Sequence, residues 1–478
     1  MERVLSVAQM RSADEYTIKN LGVDEIELVY RAGKSVADEI IKRFRGGRVL
    51  VCIGKGNNGA DGRVVAEILS KTHGFSVTTL LSTHITQSVF ERRFDIVVDC
   101  LFGTGLNREV DGKYKSLIEN INNLNAFVVS CDIPSGLNGD NGNVLGVAVK
   151  ANLTVAIQEY KLGHFLNDGP DYCGEVIAKD IGISIWEDEC IHKISDLDAY
   201  KFFQPRLKNV NKGTFGKACV IGGSKNLLGG VLLSYNALTT LTVGAGYSYL
   251  YVPESLFSTY ALKVPEIILS TFKDDGESIV FDKRALDSVM NFNSITIGMG
   301  CGISKQIYDC ICYLLKNYKG KLIIDADGLN CLAKHGVEVL KDKVCSVVLT
   351  PHVLEFARLC GVDKNLISTN PIDYAKNFAK EYNIVLLLKS AVSIITNGVD
   401  TFINVTGTPA MAKAGSGDVL SGVLCGVLAR TDGVFMETVA SAYLFGRAGE
   451  MASVKSNEYS VIASDIVACL PDAINSLN

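Results

Sequence analysis

The chain has 478 residues, more than a single hydrophobic core supports, so two domains are expected. Hydrophobic residues make up 47% and charged residues 21%, a globular composition that excludes a disordered chain. The net charge of -5 excludes the broad basic face a nucleic-acid partner needs, although clusters of backbone N–H groups can still hold small anions.

The first twenty residues carry charges throughout and have no apolar run of the signal-peptide kind. Residues 11–45 read as two helices, with Leu28, Ala32, Val36 and Ile40 on one face. Short β-rich runs follow at 48–53, 76–81, 94–99, 126–132 and 153–157, separated by helix-patterned segments such as 60–71 and 113–124. Runs apolar on both faces, alternating with helices, predict a parallel sheet covered by helices, a Rossmann-like three-layer domain. Around 186–212 the pattern breaks into charged, irregular sequence, which places a domain boundary near 195 and predicts domains of 1–195 and 196–478. A second alternation then begins, with strands expected at 217–222, 247–252, 295–299, 321–325, 346–350 and 384–389, and helices at 304–317, 371–381 and 419–430.

The uncharged stretch between Lys225 and Glu254 is long enough to suggest a membrane span, but Ser234, Asn236, Gly244 and Gly246 interrupt it. A buried helix leading into a buried strand is the better reading, and no membrane partner is expected. The fourteen cysteines do not form a disulfide framework: Cys52, Cys100, Cys131 and Cys219 sit inside apolar runs as small core residues, and Cys310 and Cys312 lack zinc-site spacing. A reducing, cytoplasmic setting is expected.

Residues 54–62 read GKGNNGADG directly after a strand and before a helix. Gly54, Gly56 and Gly59 satisfy the spacing of a dinucleotide-binding turn. No acid closes the next strand to take a ribose, and Asn57, Asn58 and Asp61 are more polar than an ordinary dehydrogenase loop requires. Three further groups fall at strand ends: Asp99, Asp132 and Lys161. One strand-end Asp is more often a turn former; two carboxylates and an ammonium above a phosphate-binding loop suggest acid/base chemistry on a phosphorylated ligand.

In the second half, Gly415, Ser416 and Gly417 open an apolar helix and present backbone N–H groups to an anion. Asp418 follows in the first turn, where the helix dipole favours its charged form and where it could deprotonate a hydroxyl attacking a phosphoryl group. The bland alternative is a helix-capping Asp.

The order G-x-G-N-N-G-x-D-G, D-x-x-F-G-T-G and D-I-P-S-G resembles the epimerase domain of the NAD(P)H-hydrate repair family over most of residues 1–185, with the upstream Arg31-Ala32-Gly33 included. The resemblance implies that Asn57, Asn58, Gly59, Ala60 and Asp61 hold the hydrated dinucleotide. It assigns the same role to Gly103, Thr104, Gly105, Leu106, Asn107, Arg108 and Glu109. A potassium ion would be held by Asn58, Asp99 and Ser135, and Asp132 would contact substrate as acid/base. Ala60 stands where the family usually has Gly.

From about 205 onward, IGGSKNLLGG (221–230), GMGCG (298–302), IDADGLNCLA (324–333), LTPHVLEFARL (349–359) and NVTGTPAMAKAGSGD (404–418) resemble the dehydratase half of the same family, which implies a ribokinase-like α/β fold. By that resemblance Gly230, Gly300 or Gly302, His352 and Asp418 face the hydrated dinucleotide. Lys389, Ser390, Ala391, Val392 and Ser393, with Gly415, Ser416 and Gly417, face an adenine nucleotide carrying magnesium. Met299, Cys301, Val353-Leu354 and Ser416 depart from the family's usual residues without removing a charged or hydroxyl group.

The resemblance implies two activities: epimerisation of hydrated NADH or NADPH, and dehydration of the S epimer with ADP, the usual family donor, or ATP. A homo-oligomer is expected. The rivals are a vitamin or sugar kinase, which shares the G-S-G-D helix start, a silent dinucleotide-binding protein, and a plain dehydrogenase. The fused first domain, the retained acid/base residues and the missing ribose acid argue against these in turn.

Overall fold

The computed structural model describes residues 1–85, 87–185, 190–238, 243–263, 266 and 268–477. Parts of the irregular stretch (186–189) and of the uncharged stretch (239–242) lie outside the described residues. The chain forms two compact units, Glu2–Ile191 and His192–Asn478, with Met1 grouped with the latter.

The first unit contains β1 (Glu2–Leu5), β2 (Gly47–Ile53), β3 (Phe75–Leu81), β4 (Ile96–Cys100), β5 (Phe127–Cys131), β6 (Leu153–Ile157), β7 (Tyr160–Lys161) and β8 (Glu175–Lys179). Six of them form a wholly parallel sheet in the order β3-β2-β4-β5-β6-β8. Alternate residues of each strand feed opposite layers. Val49, Val51 and Val98 pack under the helices that carry Val36, Ile40, Val65 and Leu69. Leu50, Cys52 and Val97 pack against Leu117, Ile118 and Ile121 on the other side. The two leading helices run Val7–Lys19 and Glu25–Arg43, and Leu28, Ala32, Val36 and Ile40 are buried along the second. Strand order reverses at β2, so a crevice opens beyond the ends of β2 and β4, the place where open α/β sheets bind ligands.

β9 (Ile191–Lys193) spans the point along the chain where the units divide. The second unit then contains β10 (Lys217–Ile221), β11 (Tyr247–Pro253), β12 (Ile268–Phe272), β13 (Ser294–Ile297), β14 (Lys321–Ile324), β15 (Ser346–Leu349), β16 (Val385–Leu388), β17 (Ser393–Thr396) and β18 (Thr401–Asn404). Their order is β12-β11-β10-β13-β14-β15-β16-β17-β18, parallel through β16 and antiparallel beyond it. The turn after Leu388 folds β17 back onto β16. A second turn at Asn397–Asp400, where the Asn397 side chain accepts from the N–H groups of Val399 (2.8 Å) and Asp400 (2.7 Å), folds β18 back onto β17.

The uncharged stretch is a helix, Gly229–Leu238, followed by β11. Among the described residues no helix is long and apolar enough to cross a membrane. The helix Ser416–Ala429 is apolar all round because it is buried all round: Val423, Leu424 and Val427 are fully inaccessible. Each such side chain contributes about 1.5–3 kcal/mol on leaving water. Burial on this scale fixes the helix start, and with it Asp418. All fourteen cysteines are free, and Cys52, Cys100, Cys131 and Cys219 are buried as expected.

Candidate functional site

In the first unit a cavity of about 600 Å³ opens above β2 and β4. The Gly-rich turn sits at its edge because only glycine fits there. A Cβ on Gly54 would lie 1.9 Å from the Leu101 carbonyl oxygen, and one on Gly59 would lie 2.1 Å from that of Gly54. This packing brings the helix Asn57–Lys71 to the cavity with its N-terminus first, the end that favours anions. Asn57, Asn58 and Asp61 line the cavity, as do Gly103, Thr104, Gly105, Leu106, Asn107 and Arg108. Gly59, Ala60 and Glu109 do not; Gly59 is turned onto the backbone of Gly54.

Asp132 and Lys161 meet in this cavity as an ion pair between the Lys161 ammonium and Asp132 Oδ1. Lys161 is almost wholly buried, and its ammonium also donates to the Ile157 carbonyl at 2.6 Å. Asp132 holds a left-handed backbone, φ 66°, a conformation costly for a residue with a Cβ. His164 braces it: His164 Nδ1 accepts from the Lys161 N–H (3.1 Å), and Nε2 donates to the Asp132 carbonyl (2.8 Å). Burial, aided by the Lys161 charge, pushes the imidazole down to about 4, so it is neutral. Sequence reasoning missed His164, whose signal was its place three residues after Lys161.

Asp61 is the second surprise. Burial first, and the charge of Asp132 second, push its carboxyl up to about 8, so it carries a proton at neutral pH.

Asp99 does not join this pair. It is fully buried beneath the cavity floor and accepts four hydrogen bonds: from Ser130 Oγ (3.0 Å), Ser135 N (2.8 Å), Ser135 Oγ (2.6 Å) and Leu101 N (3.2 Å). Burial raises its pKa and the hydrogen bonds from Ser135 oppose that. Among the described residues no Lys or Arg pairs with it. Asn58 Nδ2 donates to the Phe102 carbonyl (2.8 Å), and Phe102 N–H donates to Ser135 Oγ (2.8 Å). Asn58 Oδ1 is buried without a hydrogen-bond partner. Asn58, Asp99 and Ser135 thus form one oxygen-rich cluster.

In the second unit the glycine at 230 lets two helices touch at Asp418: a Cβ there would lie 3.0 Å from both of its carboxylate oxygens. Gly415, φ 95°, caps the helix, so the N–H groups that open its first turn are those of Ser416, Gly417 and Asp418. Ser416 Oγ is buried with no partner. Burial first, then the charge of Asp325, raises the Asp418 carboxyl to about 6. The helix dipole was expected to hold it low, but desolvation wins over the dipole.

Asp325, at the end of β14, accepts from Lys389 Nζ (2.8 Å) and Ser421 Oγ (2.6 Å). Lys389 is thereby held beside Gly417, while Ser390 to Ser393 form the turn into β17. Gly300 (φ 63°) and Gly302 (φ 74°) shape the loop after β13, where the Gly302 N–H donates to Asp327 at 2.8 Å. His352 is half-exposed and caps the helix Val353–Cys360, its Nδ1 accepting from Leu354 N (3.1 Å) and Glu355 N (3.2 Å). Its backbone bridges to Lys389, which brings it to the same end of the sheet. Asp325 was missed because an Asp closing a strand reads as a turn former.

Residues 218–472 match a family model described as NAD(P)H-hydrate dehydratase, and 25–89 with 81–163 match one described as the YjeF-related protein N-terminus. The bifunctional NAD(P)H-hydrate repair enzyme of Thermofilum pendens is 30% identical over 99% of this chain and 97% of its own length. That of Archaeoglobus fulgidus is 31% identical over 95% of each. In fold, the ADP/ATP-dependent NAD(P)H-hydrate dehydratase of Bacillus subtilis matches 60% of this chain and 99% of its own, with TM-score 0.52 and 23% identity. A ribokinase-like superfamily protein of Enterococcus faecalis matches 62% and 98%, with TM-score 0.52 and 21% identity. With two family models in the expected order and relatives aligned nearly end to end, this chain belongs to the bifunctional NAD(P)H-hydrate repair enzymes.

Proposed function

We propose that the two activities are divided between the two units: 2–191 interconverts the epimers of hydrated NADH and NADPH, and 192–478 dehydrates the S epimer with ADP or ATP. The observation that carries the reading is Asp418, a carboxyl near pKa 6 at the start of a buried helix. A base of that pKa is mostly ionised at neutral pH and still a competent proton acceptor. Asp418 takes the proton of the ring hydroxyl as the hydroxyl oxygen attacks the terminal phosphoryl group. The P–O bond to the rest of the nucleotide breaks, releasing AMP from ADP or ADP from ATP. The N–H groups of Ser416, Gly417 and Asp418 steady the transferring phosphoryl. Phosphate then leaves with the breaking of the ring C–O bond, a proton is lost from the neighbouring ring carbon, and the C=C bond that forms restores the reduced ring.

Lys389 and the 390–393 turn face the nucleotide, while Gly230, Gly300 or Gly302 and His352 bound the hydrated ring. The Bacillus subtilis dehydratase, crystallised with ATP and magnesium, supports a magnesium nucleotide as donor. Magnesium would be carried on the nucleotide phosphates.

In the first unit Asn57 to Asp61 and Gly103 to Arg108 receive the dinucleotide, and the Asp132–Lys161 pair handles protons at the ring. Asn58 Oδ1, the buried oxygen without a partner, fits a hard monovalent cation held with Asp99 and Ser135. A monovalent cation held there would offset repulsion between Asp99 and the pyrophosphate. The protein acts in the cytoplasm as a homo-oligomer. Incubation with hydrated NADH and either ADP or ATP tests the whole reading. Reduced-ring absorbance returns in full only if both epimers are consumed; no return with either nucleotide overturns it.

A further inference from the structure

We propose that Asp325 is a positioning residue for the second site: it pins the Lys389 ammonium beside the Gly417 end of the anion hole and sets the charge that Asp418 faces. The inference deepens the dehydratase reading and rests on it.

Asp325 is 1% exposed, and both its oxygens are engaged. Oδ1 accepts from Lys389 Nζ at 2.8 Å, and Oδ2 accepts from Ser421 Oγ at 2.6 Å. Ser421 lies on the same helix as Asp418, three residues on and so on the same face. The carboxylate is therefore tied at once to the helix that carries the base and to the strand end that carries the cation. Lys389 is fixed at its backbone as well, its N–H donating to the Pro351 carbonyl at 2.8 Å. A Cβ on Gly417 would lie 3.3 Å from Lys389 Nζ and 3.9 Å from Asp325 Oδ2, so glycine at 417 leaves the ammonium open to a ligand at the helix start. A lysine side chain has four rotatable bonds, and among the described residues Asp325 is the side chain that holds the ammonium in place.

The charged groups that act on Asp418 come from three elements: Asp325 after β14, Lys389 after β16, and Asp327 in the first turn of the helix Asp327–His335. Gly230, on the helix that abuts Asp418, brings no charge. His352, the N-cap of the helix Val353–Cys360, and Glu355 in its first turn face the Asp325–Lys389 pair, and Arg358 of that helix acts on those two. Asp325 opposes ionisation of Asp418 and Lys389 favours it. Removing either charge must therefore move the ionisation of Asp418, and in opposite directions.

The test uses the full chain and two measurements: MgADP affinity by calorimetry, and the pH profile of dehydration. Asp325→Asn keeps the shape of the carboxylate. Its acid limb is expected to move down by at least about half a pH unit, and that of Lys389→Met to move up. Lys389→Met is expected to weaken MgADP by about tenfold, the scale of one charge-assisted hydrogen bond. Because Asp325 acts through Lys389, Asp325→Asn weakens MgADP in the wild type and adds nothing in the Lys389→Met background. Ser421→Ala, which deletes one hydroxyl, carries the same affinity cycle if Asp325→Asn does not fold. An Asp325→Asn limb that overlies the wild type, or an affinity loss that adds in full to that of Lys389→Met, overturns the proposal. If the wild type binds MgADP but turns over no hydrated dinucleotide, the dehydratase reading fails, and the affinity cycle still decides the role of Asp325.

Discussion

Lys161 is buried almost completely, yet its ammonium reaches Asp132, a residue held in a left-handed backbone conformation at the edge of the cavity. Neither group has a reason to occupy such a position except to serve the cavity they share. Removing one charge of a buried pair can cost about 3–5 kcal/mol. The variant is therefore Asp132→Asn, which keeps an oxygen to accept from the Lys161 ammonium, with thermal melting as the control for folding. Epimer interconversion is expected to fall by about 10²–10⁴-fold, the usual worth of a placed acid or base. In the full-length variant, nucleotide-dependent dehydration should run to completion on one epimer and stall on the other. Equal consumption of both epimers by Asp132→Asn would rule out that role.

The strand–helix alternation was legible in the sequence because every central strand is a short apolar run between Gly, Asp or Asn. β12, β17 and β18 were not: β12 is a partly exposed edge strand, and the β17–β18 hairpin depends on the Asn397 turn. The charged strand-end residues were legible as residues but not as partners. Asp99, Asp132 and Lys161 read as one trio, whereas Asp99 is bound by Ser130 and Ser135 and only Asp132 meets Lys161. Raised carboxyls at Asp61 and Asp418 could not be read at all, since desolvation depends on what packs over a residue and not on its neighbours in sequence.

Asp418→Asn keeps the helix start and removes the base. Dehydration is expected to fall by about 10²–10⁴-fold while MgADP still binds. In the wild type the acid limb of the dehydration profile should sit near pH 6, because Asp418 must be ionised to accept a proton. A variant keeping more than about a third of wild-type turnover would remove Asp418 from that role.

Asp61 gives a pH dependence of stability with a definite sign. Its carboxyl is raised to about 8, so folding favours the protonated form, and the folded state loses stability as pH rises from the ordinary carboxylate range towards 8. Asp61→Asn cannot ionise and escapes that loss. The melting temperature of the variant, taken relative to wild type, should therefore be higher at pH 8 than at pH 5. A difference that is flat with pH would show that Asp61 is already ionised in the folded protein.

The oxygen cluster under the cavity makes a prediction about potassium. Asp99 is buried with no cationic partner among the described residues, and Asn58, linked to it through Phe102 and Ser135, has a buried Oδ1 with no donor. A bound monovalent cation would satisfy both, and would also offset the charge of an arriving pyrophosphate. Epimer interconversion, or the affinity for the hydrated dinucleotide, is therefore expected to rise with potassium and to saturate. Asp99→Ala should abolish that dependence and weaken substrate binding, and dehydration of the S epimer should be unchanged. The competing account is that Asp99 only orders the Leu101–Phe102 turn through its hydrogen bonds to Leu101 and Ser135. On that account Asp99→Ala lowers stability, by about 1–3 kcal/mol for the donors left unpaired, and leaves any potassium dependence intact. Titrating potassium against epimer interconversion in wild type and Asp99→Ala separates the two, with thermal melting of each variant as the control for stability. A flat wild-type titration at constant ionic strength would count against the cation site itself.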